Sequence, residues 1–167
     1  DLIGEDMCNS DQIDCDLAVY DFVAKNDLIS VFADYCADIG INVFKPPAKD
    51  EYNLDLYLTK KDPLLKTEAV FVFNGIDTKR KYQDKFLHIE RSGEVSDWKV
   101  LVTTPMGAMN IGFNRLIDDM ERLNVWLYIV DPIQSQIFGI TKGSKSKRKD
   151  EEKQNAYIST LPSEPIR

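Results

Sequence analysis

The stretch Val125 to Val130, "VWLYIV", is apolar at every position and ends at Asp131-Pro132. A strand with one wet face alternates apolar and polar residues. A short run with no polar position reads instead as a central strand covered on both faces. A chain holding such a strand needs helices above and below the sheet. The pattern before the run supplies one. Met109, Phe113, Leu116, Ile117, Met120 and Leu123 recur at helical spacing, and Thr104-Pro105 provides a cap and a first-turn proline.

Other elements follow from the same reasoning. Ser10 or Asp11 can cap a helix starting near Gln12, with Ile13, Leu17, Tyr20 and Val23 or Ala24 on one face. Leu28, Val31, Phe32, Tyr35, Cys36 and Ile39 form a second helical stripe, closed by Gly40. Ile41 to Phe44 reads as a short strand. Tyr52, Leu54, Leu56 and Leu58 alternate with Asn53, Asp55, Tyr57 and Thr59, as in a half-buried strand. Glu68 to Phe73 is a further strand, and Asn74-Gly75 after it is a hairpin signal. Phe86 to Glu90 and Trp98 to Thr103 read as two more strands around a turn at Ser92-Gly93, and Gln136 to Thr141 as the last. The expected fold is α/β or α+β, a mixed five- to six-stranded sheet with flanking helices.

Three regions are expected: an acidic segment over 1–11, a single α/β domain over 12–142, and a charged, disordered tail over 143–167. At 167 residues the domain can bury a core without staples. The chain begins at Asp1 rather than Met, so a longer parent chain is expected. Cys8, Cys15 and Cys36 are an odd, irregularly spaced set, which fits a reducing, intracellular compartment and no zinc site. No apolar run reaches membrane-spanning length. The net charge of −7 speaks against nucleic-acid binding by the whole surface, while leaving room for a local basic face. The basic run at Lys142, Lys145, Lys147, Arg148 and Lys149 can contact a phosphate backbone or lie in a solvated tail. His88, the chain's one histidine, is either a base or a surface residue.

The stretch from 51 to 82 carries the chemistry. Asp55 sits in "YNLDLYL", and Asp77 and Lys79 sit in "IDTK" after an apolar run. Two carboxylates within one ion's reach suit Mg²⁺ or Mn²⁺, which prefers oxygen ligands and lowers the pKa of bound water. Those residues, with a helix, a strand meander, a helix and a buried strand, resemble the restriction-endonuclease-like, or PD-(D/E)XK, superfamily. Leu54 stands where that family carries proline. The resemblance implies a core of that kind, with Asp55 and Asp77 as metal ligands and Asp55, Asp77 and Lys79 as the catalytic set of a nuclease. Asp34, Asp38 or Glu68 can add an acid. Arg80, Lys81 and Arg91 are the residues expected to seat the phosphates of DNA or RNA. The alternative is a non-catalytic domain of a larger intracellular protein, binding a protein or a nucleic acid.

Overall fold

The computed structural model describes residues 23–74 and 79–167. The helix expected from Gln12, together with Cys8 and Cys15, lies outside them. The elements run α1 (Lys25–Asp38), β1 (Asn42–Phe44), β2 (Leu56–Lys60), β3 (Lys66–Phe73), α2 (Lys79–Ser92), β4 (Trp98–Thr103), α3 (Pro105–Ile111), α4 (Phe113–Arg122), β5 (Val125–Asp131), β6 (Gln136–Thr141) and α5 (Glu151–Ser159). The six strands form one sheet in chain order. β1, β2 and β3 are an antiparallel meander, β3, β4 and β5 are parallel, and β6 returns antiparallel. The fold is α/β, with helices on both faces of a mixed sheet.

β5 shows why. Val125, Leu127 and Ile129 belong to the layer under Ile89 of α2, Ala108 and Ile111 of α3, Leu116 and Met120 of α4, and Tyr157 of α5. Trp126, Tyr128 and Val130 face the opposite layer, with Leu28, Phe32, Ala33 and Cys36 of α1. Successive strand residues point to opposite faces, so both sets are needed to cover the run.

Five expectations change. The hairpin at Asn74-Gly75 and the strand at Phe86 to Glu90 are replaced by α2. β3 and β4 pair in parallel, with Val70 opposite Val100, and parallel neighbours need a crossover. Tyr82, Phe86 and Ile89 stand at i, i+4 and i+7 and pack into the core beneath α2. That helical stripe outweighs the short alternation around His88. Among the described residues, the element that follows β3 is therefore a helix.

The strand expected from Tyr52 begins only at Leu56. Asp50 accepts hydrogen bonds from Tyr52 N at 3.1 Å and Leu54 N at 2.6 Å, which folds residues 50–54 into a loop. Leu54 packs on the α2 side, whereas Leu56 and Leu58 pack on the α1 side. The long helix expected after the Thr104-Pro105 cap breaks at Gly112, whose φ of 102° suits glycine and few other residues.

The segment 143–167 holds a helix rather than lying disordered. Asp150 caps α5 by accepting from Glu152 N and Lys153 N. Gln154 and Tyr157 are buried, and the Thr67 hydroxyl donates to Gln154 Oε1 at 3.0 Å. One turn of apolar contact plus polar partners holds this piece, a pattern that periodicity over a long window does not register.

Candidate functional site

Asp55 stands immediately before β2, its side chain 14% exposed. Its N–H donates to Val70 O of β3 at 2.9 Å. Its Oδ2 accepts from Val72 N at 2.6 Å, and its Oδ1 meets Lys25 Nζ at 2.8 Å. The carboxylate thus ties the first residue of α1 to the middle strand of the sheet. The facing residues on β3, Val70 and Val72, are buried and apolar. Asp77 lies outside the described residues, and Lys79 is the first residue of α2.

The further acids are scattered. Glu68 pairs across β2 with Leu58, and burial pushes its carboxyl up to about 6. Asp34 is an exposed partner of Arg167 at 2.6 Å, and Asp38 ends α1. Among the described residues, no group of three or more His, Cys, Asp and Glu is placed to hold a metal.

The basic residues converge better. Lys81, Asp84, Lys85 and His88 of α2, with Lys25 and Asn53, line a polar pocket of about 290 Å³. Lys81, Lys85 and His88 are at i, i+4 and i+7, one face spanning about 10 Å of helix axis. Lys25 joins this face to Asp55. His88 is half-buried, and its Nδ1 is buried without a hydrogen-bond partner. Arg80 is exposed on the first turn of α2. Arg91 is about 15 Å further along the axis, where its guanidinium covers the Tyr52 ring at 5.3 Å. The structure therefore brings Lys81 to the pocket and leaves Arg91 out.

Lys25, Lys85, His88 and Asn53 were not singled out together from sequence. The spacing of Lys81, Lys85 and His88 would have shown them as one face had 79–92 been read as a helix. Lys25 and Asn53 arrive only through the fold.

Most of the basic run near residue 145 has partners within the molecule, although Lys142, Lys145, Lys147 and Arg148 stay exposed. Lys149 Nζ meets Asp97 Oδ1 at 2.8 Å, and Lys145 Nζ approaches the same oxygen at 3.9 Å. Arg148 and Lys153 meet Glu94 at 3.9 and 3.3 Å. Lys142 Nζ lies over the Trp126 ring at 5.9 Å. Cys36 is buried and free, and burial raises its thiol to about 12, which removes it as a nucleophile.

Charge is segregated along the chain. Residues 1–22 hold seven acids and no Lys or Arg. Of the 28 acids in all, 21 therefore remain beyond them, against 21 Lys and Arg, so that part is balanced. No helix among the described residues is long and apolar enough to cross a membrane. No protein-family model matches the sequence, and no curated protein matches it at a significant level. Fold and site together define an α/β domain with a basic recess lined from two helices.

Proposed function

We propose that this chain is a non-catalytic nucleic-acid-binding domain. It takes backbone phosphates at the recess formed by Lys25, Lys81, Lys85 and His88. The observation that carries the reading is the convergence of three lysines and a histidine from two helices on one polar pocket. Ammonium groups so grouped release counterions when a phosphate backbone replaces them. The balanced charge beyond residue 22 removes the objection that the net charge raises. Asp55 serves this reading as a positioning residue, since it fixes Lys25 at the pocket rim.

The test is fluorescence anisotropy of labelled single- and double-stranded oligonucleotides across a salt series. Binding should weaken about tenfold in Lys81→Gln/Lys85→Gln, with the slope against salt falling by about 1 to 2. Lys61→Gln, an exposed lysine in the β2–β3 turn, should change neither. Equal losses in both variants would reduce the effect to general surface charge, and no binding at all would sink the reading.

A second reading has its own support. The next described element after β3 is α2, and an order of helix, three-stranded meander, helix and strand is similar to the restriction-endonuclease-like core the sequence resembles. In this reading Asp55 and Asp77 hold Mg²⁺ or Mn²⁺ and Lys79 serves the attacking water. Saturable Mn²⁺ binding in calorimetry, with cleavage of the same oligonucleotides, both lost in Asp77→Ala, would put it ahead of the non-catalytic one.

A further inference from the structure

The two edge strands of the sheet are the two without charge. β2 carries Lys60, β3 Lys66 and Glu68, β4 Lys99 and β5 Asp131, whereas β1 and β6 carry no Lys, Arg, Asp or Glu. Edge strands present unpaired N–H and C=O groups, and proteins protect them with charge, proline or a covering segment. β1 has a cover. Ile166 N donates to Val43 O at 2.8 Å, so a segment of the chain itself lies along that edge. β6 ends the sheet on the other side, and among the described residues no strand pairs with its outer edge.

The open edge is also apolar. Phe138, in the middle of β6, is 49% exposed, and Ile133, in the turn before it, is 55% exposed. From Pro132 to Thr141 the sequence is "PIQSQIFGIT", with no ionisable side chain. That neutrality points to the partner. A strand that pairs with its own copy brings each of its charges near the same charge, and like charges across a strand pair are destabilising. A strand with none meets no such penalty, and two-fold symmetry makes its edge complementary to itself.

The symmetry also fixes which residues meet. A two-fold axis perpendicular to the sheet keeps the helices of both copies on the same faces. Side chains alternate between faces, so such an axis pairs even-numbered residues with even and odd with odd. The bulge opposite Leu127 and Tyr128 leaves Gln136 to Gly139 as the regular part of β6. Centring the axis on Phe138 sets the two exposed rings against each other as an aromatic pair. It also sets Ile137 opposite Gly139, whose missing side chain leaves room for the isoleucine. The backbones then contribute about four to six hydrogen bonds across the seam.

We propose that the free edge of β6 pairs antiparallel with β6 of a second copy, Phe138 against Phe138, joining two six-stranded sheets into one. The inference is independent of the basic recess on α2. A pairing of this size falls at the weak end of dimer interfaces. Two chains of net charge −7 also repel, so the dimer forms at high protein concentration and salt strengthens it.

Sedimentation velocity of the full chain from about 5 to 500 µM, at low and at high salt, tests it. A shift from monomer to dimer with concentration is expected. Phe138→Lys and Phe138→Glu should each weaken dimerisation about tenfold or more, because like charges then face across the axis. An equimolar mixture of the two should restore it, since the facing charges are then opposite. Gly139→Glu is a second check. A Cβ there meets only Tyr128 Cε1, at an ordinary 3.7 Å, so the monomer accepts the side chain. The dimer would have to set that carboxylate against Ile137, so dimerisation should be lost with Tm unchanged. A chain monomeric at every concentration, a dimer that salt dissolves, a dimer that Phe138→Lys or Gly139→Glu leaves intact, or a mixture of the two charged variants that stays monomeric would each overturn the proposal.

Discussion

Asp55 and Glu68 are carboxylates two strands of one meander bring to the sheet, and their surroundings set them apart. Asp55 accepts from a strand N–H and faces an ammonium 2.8 Å away. Hydrogen bonds to a charged group in such a place contribute about 1.5–3 kcal/mol, and removing the acceptor strands the buried Val72 N–H. Asp55→Ala should therefore destabilise the domain by about 2–3 kcal/mol in urea unfolding, with or without Mn²⁺. A loss below about 0.5 kcal/mol would remove the clamp assigned to it. Glu68 is the opposite case. Burial raises its pKa from 4.5 to about 6, so the folded chain holds its proton more tightly than the unfolded one. Stability linked to it is fully present below about pH 4.5 and is lost as pH rises through about 6. The loss by neutral pH is on the order of 1–2 kcal/mol. Glu68→Gln should gain that amount at pH 7.5 and nothing at pH 4, when the two proteins are unfolded side by side. A pH-independent difference would place the carboxylate in water.

At the scale of elements, the sequence showed what burial on one face writes into a pattern and hid what depends on partners. β5 was legible because a run apolar at every position has one reading. α1 and the helical face from Met109 to Met120 were legible because their stripes are long. α2 was not. Its first half is Lys79, Arg80, Lys81, Gln83, Asp84 and Lys85, with Tyr82 alone pointing to the core, and the two-residue Asn74-Gly75 signal dominated locally. Only the parallel pairing of β3 with β4 forces a crossover there. The candidate site inherits this limit. Asp55 and Lys81 could be picked from sequence by type, whereas the recess needs α2 to be a helix and α1 to deliver Lys25. Leu87 tests the helix directly, since its side chain is 64% exposed and contributes little packing. Leu87→Pro should cost about 3 kcal/mol or more through the backbone alone. It should also abolish oligonucleotide binding by disordering the face that holds Lys85 and His88. A cost under about 1 kcal/mol would be incompatible with a helix interior at this position.

For the whole molecule, the decisive fact is that residues 143–167 close the domain. Ile166 N donates to Val43 O at 2.8 Å, laying the end of the chain along β1, the edge strand. Ser146 N donates to Asp97 O, and Lys149 meets the Asp97 carboxylate, which is 1% exposed. Asp97 Oδ2 in turn accepts from Thr67 N at 3.0 Å, where β3 begins. A carboxylate buried that deeply costs about 3–5 kcal/mol once its countercharge is removed. Uncovering Tyr52 and Tyr57 by loss of Tyr157 adds a hydrophobic cost of about 2–3 kcal/mol. Domains of this size are stable by only about 5–15 kcal/mol in total. A chain ended at Lys142 should therefore lose its cooperative thermal transition or melt far below the full chain. Lys149→Met separates the electrostatic part of that loss, since it leaves α5 in place and removes only the nearest countercharge. It should destabilise by about 2–4 kcal/mol, less than the full penalty because Thr67 N–H and Lys145 still face the carboxylate. Asp97→Asn added to Lys149→Met should recover most of it, because an amide needs no countercharge. If the shortened chain melts with the full chain, these contacts are surface decoration and the domain ends at β6. If the shortened chain fails while Lys149→Met is silent, α5 acts through the packing of Tyr157, and Asp97 is held by its hydrogen bonds alone.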